Sequence, residues 1–145
     1  MAKEPQNFKN HGKVVPAFHF FVMPILLVNL ISAIVYACRH FSWHSLIAAL
    51  TALALLLGFL FARMFALTVQ DRVIRLEMRL RLAQILPAEL RGRIAEFTLA
   101  QLVALRFASD AELPGLARKV LDENIVERKA IKAMVQNWQA DELRA

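Results

Sequence analysis

Two long apolar runs open the chain. From Val14 to Cys38, 25 residues, and again from His40 to Ala62, 23 residues, no Lys, Arg, Asp or Glu interrupts the sequence. About 20 such residues, wound as a helix, cross a bilayer core of about 30 Å. A buried helix of a soluble protein would show a polar face, and neither run has one. Both are therefore predicted to span a membrane, at about 14–38 and 41–62. Beyond Ala62 the pattern changes but the element does not. Residues 63–86 contain neither Gly nor Pro, and Pro87 is the first stop. The second span is predicted to run on as one continuous helix to about Leu86.

Within this extension the polar and apolar positions fall into sectors at about 100° per residue. Arg63, Gln70, Glu77 and Gln84, each seven residues apart, form one polar stripe with Arg81 beside it, and Glu77 is spaced to pair with Arg81. Val69, Val73, Leu76, Leu80 and Ala83 form one apolar face, and Ile74, Met78 and Ile85 another. Arg72, Arg75 and Arg79 make a second polar stripe, assigned to anionic lipid headgroups or solvent. An exposed helix needs one apolar face, so two imply contacts on both sides. In one account the faces meet the distal helices and the membrane surface, and the first polar stripe is simply solvated. In the other, Ala66, Val69, Val73, Leu76, Leu80 and Ala83, alternating by three and four, form a coiled-coil-like seam between copies. Arg63 would then anchor at the inner interface, its stem in lipid. The candidate interaction residues are Arg63, Val69, Gln70, Val73, Leu76, Glu77 and Leu80.

The distal part carries helix-start signatures. Pro87 with Glu89 opens a short helix. Thr98 with Gln101, Ser109 with Glu112, and Asn124 with Glu127 each have the spacing of a capping box, and Phe97 with Leu102 that of a hydrophobic staple. Apolar stripes recur at helical spacing: Leu99, Leu102, Val103 and Phe107; Leu113, Leu116, Val120 and Leu121; Ile131, Met134, Val135 and Trp138. Arg118 and Asp122 are placed as an i, i+4 pair. About fifty residues make a thin core, which is expected to lean on the long helix, a second copy or the bilayer surface. The fold class is thus an all-α membrane protein: a two-helix transmembrane hairpin, the second span continuing into a cytoplasmic helix, then a small bundle of short helices. The corresponding segments are 1–13 (basic), 14–62 (hairpin), 63–86 (helical extension) and 87–145 (cytoplasmic helical domain).

Packing inside the hairpin can also be read. Pro24 removes a backbone donor, so a kink is expected. Ala33 and Ala37 on the first span, and Ser45, Ala48, Ala49 and Ala52 on the second, are small enough for close approach near the turn. Asn29, sharing a face with Ser32, is expected to hydrogen-bond between helices.

Charge sets orientation. Three basic residues precede the first span (Lys3, Lys9, Lys13), one lies between the spans (Arg39), and five follow (Arg63, Arg72, Arg75, Arg79, Arg81). The basic side of a membrane protein faces the cytoplasm, so both termini are placed there, in a bacterial inner membrane, with Tyr36 and Trp43 at the outer interface. The formal net charge of +6 is uneven. Residues 69–93 carry six Arg against three acidic residues, +3, while 94–145 carry seven basic and eight acidic, −1. Basicity hugs the membrane, which suits anionic headgroups; the basic distal face that nucleic acid would need is missing.

Catalytic chemistry finds no footing. The lone Cys38 excludes an intramolecular disulfide, and the first run is too long, and lacks an A-x-A site, for a cleaved signal. His40 and His44 are four apart near Cys38, but zinc wants three or four converging ligands. There is no Gly-rich phosphate loop and no Ser–His–Asp set, and all the histidines precede residue 45. The expectation is a protein with no catalytic, cofactor or metal site.

Several blocks carry a resemblance. Phe61-Ala62-Arg63-Met64-Phe65-Ala66-Leu67, Val69-Gln70-Asp71-Arg72-Val73-Ile74-Arg75-Leu76-Glu77 and Leu102-Val103-Ala104-Leu105-Arg106-Phe107-Ala108-Ser109-Asp110 resemble a bacterial family of unknown function, as do Gln6-Asn7-Phe8 with Asn10-His11, and Ile131-Lys132 with Trp138 and Asp141. The resemblance implies a small two-span membrane protein with a helical tail and brings no activity with it. The reading is therefore a membrane-anchored interaction or accessory-subunit module that associates with itself or with a membrane protein partner. A homo-oligomeric channel around the second span is the alternative, and it would need more polar lining than Ser45, Thr51 and one glycine.

Overall fold

The computed structural model describes Phe8 and residues 14–141. The basic segment 1–13, apart from Phe8, lies outside the described residues, and with it Lys3, Lys9 and Lys13. The fold is all-helical. Its α-helices are α1 (Met23–Arg39), α2 (Trp43–Ile85), α3 (Ala88–Arg91), α4 (Leu99–Leu105), α5 (Leu113–Asp122) and α6 (Arg128–Met134). A π-helical segment, Ala17–Val22, precedes α1, and a 3-10 turn, Ile94–Glu96, precedes α4. The uninterrupted 43-residue α2 bears out the continuous second helix. The chain divides into two compact units, one of Lys13–Leu67 and one built on Thr68–Ala145.

In the first unit, Pro24 sits at the second position of α1, where the π-helical segment ends and the Met23 N–H still reaches Phe18 five residues back. The donor missing from proline thus falls at a change of hydrogen-bond register. The less exposed residues of α1, Leu26, Leu30, Ala33 and Ala37, and those of α2, Ser45, Ala49, Ala52 and Leu56, each keep to one stripe. These stripes contain most of the small residues expected at the helix contact, while Ala48 is exposed. Asn29 and Ser32 are exposed, and among the described residues Asn29 does not make the expected interhelical bond. The turn is closed by an unforeseen reciprocal cap. The Ser45 N–H donates to Ser42 Oγ at 3.1 Å and the Ser42 N–H to Ser45 Oγ at 2.9 Å.

The second unit is organised around the end of α2. Ile74, Met78, Leu82 and Leu86 enter one apolar core with Leu90, Phe97, residues 102–105, Leu113, Ala117, Val120 and Ile131. The distal helices therefore lean on the long helix. Short α4 is buried almost all round, Gln101 included. It begins with the full Thr98–Gln101 capping box, and Gln101 also donates to the Ile125 carbonyl at 3.0 Å. The two other expected boxes take different forms. Helix α5 starts with Glu112, not Ser109, in the cap position, and α6 is capped by the Glu127 side chain. Asn124 instead adopts φ 48° just past α5. There the Ile125 N–H reaches the Val120 carbonyl and the Asn124 N–H that of Leu121, the paired bonds of a Schellman ending. Arg91 Nε, at 2.7 Å from the Leu86 carbonyl, stops the end of α2 in the same spirit.

Trp138 is not on α6, which ends at Met134. The Glu112 carboxylate accepts the N–H groups of Gln136 and Asn137 at 3.2 and 3.1 Å, so the backbone leaves the helix there and runs extended. It forms an antiparallel bridge between Ala108 and Trp138, and the Trp138 ring stacks on Phe107 at 4.4 Å. Arg106 and Lys132 lie over the same Phe107 ring.

Candidate functional site

The part of α2 beyond Thr68 presents four sectors, and their burial separates the two apolar faces. Ile74 and Met78 are 5% and 3% exposed and Leu82 and Leu86 fully buried, all under the short helices. Val69, Val73, Leu76 and Leu80 are 59%, 48%, 61% and 58% exposed. At about 100° per residue the centres of these faces lie roughly 180° apart. The domain thus covers one side of the helix and leaves an apolar stripe on the other. Arg72, Arg75 and Arg79 border that stripe on one flank, and Gln70, Glu77 and Gln84 on the other.

On the covered side, Arg81 fastens α2 to the loops. Its Nε and Nη2 donate to Asp110 Oδ1 at 2.8 and 2.6 Å. Further bonds reach the carbonyls of Arg106 and Ala108, at 3.2 and 2.7 Å, and Gln139 Oε1 at 2.9 Å. Its expected partner Glu77 is left aside, because Asp110 and two carbonyls converge on one guanidinium. The other expected helical pair, Arg118 with Asp122, is also exchanged for longer-range ones. Arg118 pairs with Glu89 at 3.1 Å and Asp122 with Arg93 at 2.8 Å, so both tie α5 to the segment after α2. Hydrogen bonds to Asp122 first, then Glu96, raise the pKa of Arg93 and hold it charged.

A shallow cleft of about 280 Å³ opens beside Met78, with Glu77, Arg81, Arg106 and Asp141 among its lining. Its charges are largely matched internally. Arg81 is committed as described, and Arg106 Nε stands 3.0 Å from Asp141 Oδ2. Among the described residues no three His, Cys, Asp or Glu side chains converge to hold a metal ion.

A family model described as a family of unknown function (DUF6526) matches residues 1–145. The chain belongs to this family. No curated protein and no solved structure matches it. Membership agrees with the resemblance carried by residues 61–77 and 102–110 and leaves the site to be read from its own geometry.

Of the candidate interaction residues, Val69, Val73, Leu76 and Leu80 come together on the open stripe, with Gln70 and Glu77 along one edge. Arg63 belongs to the other compact unit, where it is half-buried. Arg72 and Arg75 are exposed; Arg79 is half-buried, its Nε shielded from solvent without a hydrogen-bond partner among the described residues. Sequence reasoning missed the fastening role of Arg81 and the loop-tying role of Glu112. The signal for Arg81 was present, since it sits between Met78 and Ile85 at the rim of an apolar face, where a cation needs partners.

Proposed function

We propose that this protein is a non-catalytic, membrane-anchored interaction module. Its hairpin holds it in the bacterial inner membrane, and the open stripe of α2 docks a helix of another protein chain. The observation that carries the reading is the exposure of Val69, Val73, Leu76 and Leu80 on a helix whose opposite face is already packed. A contiguous apolar stripe rimmed by charge marks an interaction surface. The anchor is supported by two helices long and apolar enough to cross a membrane. Phe20, Phe21, Val28 and Ile31 are exposed on or just before α1, an arrangement that lipid would cover.

The channel alternative gains nothing from the hydroxyls of the second span. Ser45 Oγ donates into its own turn, and Thr51 Oγ1 to the Ile47 carbonyl at 2.9 Å. The docking reading is tested with a photoreactive residue placed at Leu76, or at Arg75 as control, in the full chain in native membranes. A discrete protein adduct at Leu76 and none at Arg75 is expected. Adducts to lipid alone, or equal labelling at both positions, would overturn it.

A further inference from the structure

The open stripe has the residue order of a parallel two-stranded seam, and its flanks carry the charges such a seam requires. Val73 and Leu80 occupy the first core position of successive heptads, and Val69, Leu76 and Ala83 the second. The residues just before the first core positions are then Arg72 and Arg79, and those just after the second are Gln70, Glu77 and Gln84. When two such helices run parallel, a residue preceding a first core position faces the partner residue five places further on. That rule sets Arg72 opposite Glu77 of the other copy, and by symmetry Glu77 opposite the other Arg72. The same pairing sets Arg79 opposite Gln84. No like charges meet.

An antiparallel pair would bring the arginine flanks together. It is excluded on other grounds as well, since two copies inserted in the same bilayer by the same hairpin present α2 in the same direction. Both Arg72 and Glu77 are exposed within the single chain, and neither takes part in its ion pairs or hydrogen bonds among the described residues. Their side chains are available for this use.

We infer that the occupant of the stripe is a second copy of this chain, docked in parallel through Val69, Val73, Leu76 and Leu80 and registered by reciprocal Arg72–Glu77 pairs. This rests on the docking reading above and names its partner. A two-fold seam is self-complementary, each core residue meeting its own equivalent. Two heptads are short for pairing in free solution. Confinement of both copies to one membrane plane raises their effective concentration and orients them alike. Arg72 thereby acquires a role distinct from Arg75, which lies farther from the seam and remains available to headgroups.

The experiment uses the full chain in native membranes with Cys38→Ser as background and single substitutions Val73→Cys, Leu76→Cys and Arg75→Cys. Oxidative crosslinking should give a band at twice the chain mass, several-fold stronger for Val73→Cys and Leu76→Cys than for Arg75→Cys. Adding Arg72→Glu or Glu77→Arg alone to Leu76→Cys should reduce the band, and combining the two should restore it. Restoration separates pairing from any general effect of charge on folding. Equal crosslinking at all three positions, or a double exchange no better than the singles, would overturn the self-pairing. If the Leu76 photoadduct has the mass of a different protein while no homodimer forms, the self-pairing fails and the docking reading stands. If no protein adduct forms at all, both fail.

Discussion

Glu112 gathers three backbone donors on one carboxylate. Ser109 N–H reaches Oε1 at 3.4 Å, and the N–H groups of Gln136 and Asn137 reach Oε2. The Ser109 hydroxyl, which the capping-box spacing would employ, is buried with no partner among the described residues. The two residues of one motif should therefore respond oppositely to truncation. Glu112→Ala removes the charged acceptor that ties the α4–α5 loop to the segment after α6 and should lower stability by about 1–3 kcal/mol. Ser109→Ala removes a buried hydroxyl that makes no bond and should leave the melting temperature unchanged or slightly higher. Thermal unfolding of the full chain in detergent micelles, followed by circular dichroism, checks both. A large loss for Ser109→Ala would show that the hydroxyl caps α5 after all.

At the level of the element, α2 does two different things with similar side chains. Met78 and Leu80 are two residues apart on the same helix, one buried in the core and the other 58% exposed. Met78→Ala should cost about 2–5 kcal/mol, the range for emptying a packed core site. Leu80→Ala should cost within about 0.5 kcal/mol in the monomeric chain, as exposed substitutions do. Denaturant unfolding of the two variants in dilute detergent measures the difference. Comparable losses would mean that the exposed stripe is already covered under those conditions. The two faces have similar hydrophobic content in sequence, so composition does not distinguish them. The Arg81 bonds to Asp110 and to the loop carbonyls accompany the packing that selects one.

For the molecule as a whole, the three-one-five distribution of basic residues leads to the topology prediction. A reporter fused after Ala145 should be active only if it works in the cytoplasm, and one inserted at Ser42 only if it works outside. The reverse pattern would overturn the orientation. Features carried by neighbours in the chain were legible without the fold. Two charge-free runs, the stretch 63–86 without Gly or Pro, and the Thr98–Gln101 box each concern consecutive residues of one helix, for which sequence spacing equals spatial spacing. Other features depended on partners far along the chain. The Arg81–Asp110 bond joins residues 29 apart, Arg118 preferred Glu89 to its helical neighbour Asp122, and Trp138 left its helical stripe because Glu112 holds the backbone before it. Periodicity reveals that a helix has an apolar face but not what will cover it. That α2 buries Ile74, Met78, Leu82 and Leu86 and leaves Val69, Val73, Leu76 and Leu80 open was decided only in the tertiary structure, because burial is a property of the assembled neighbours and not of the strip of residues itself.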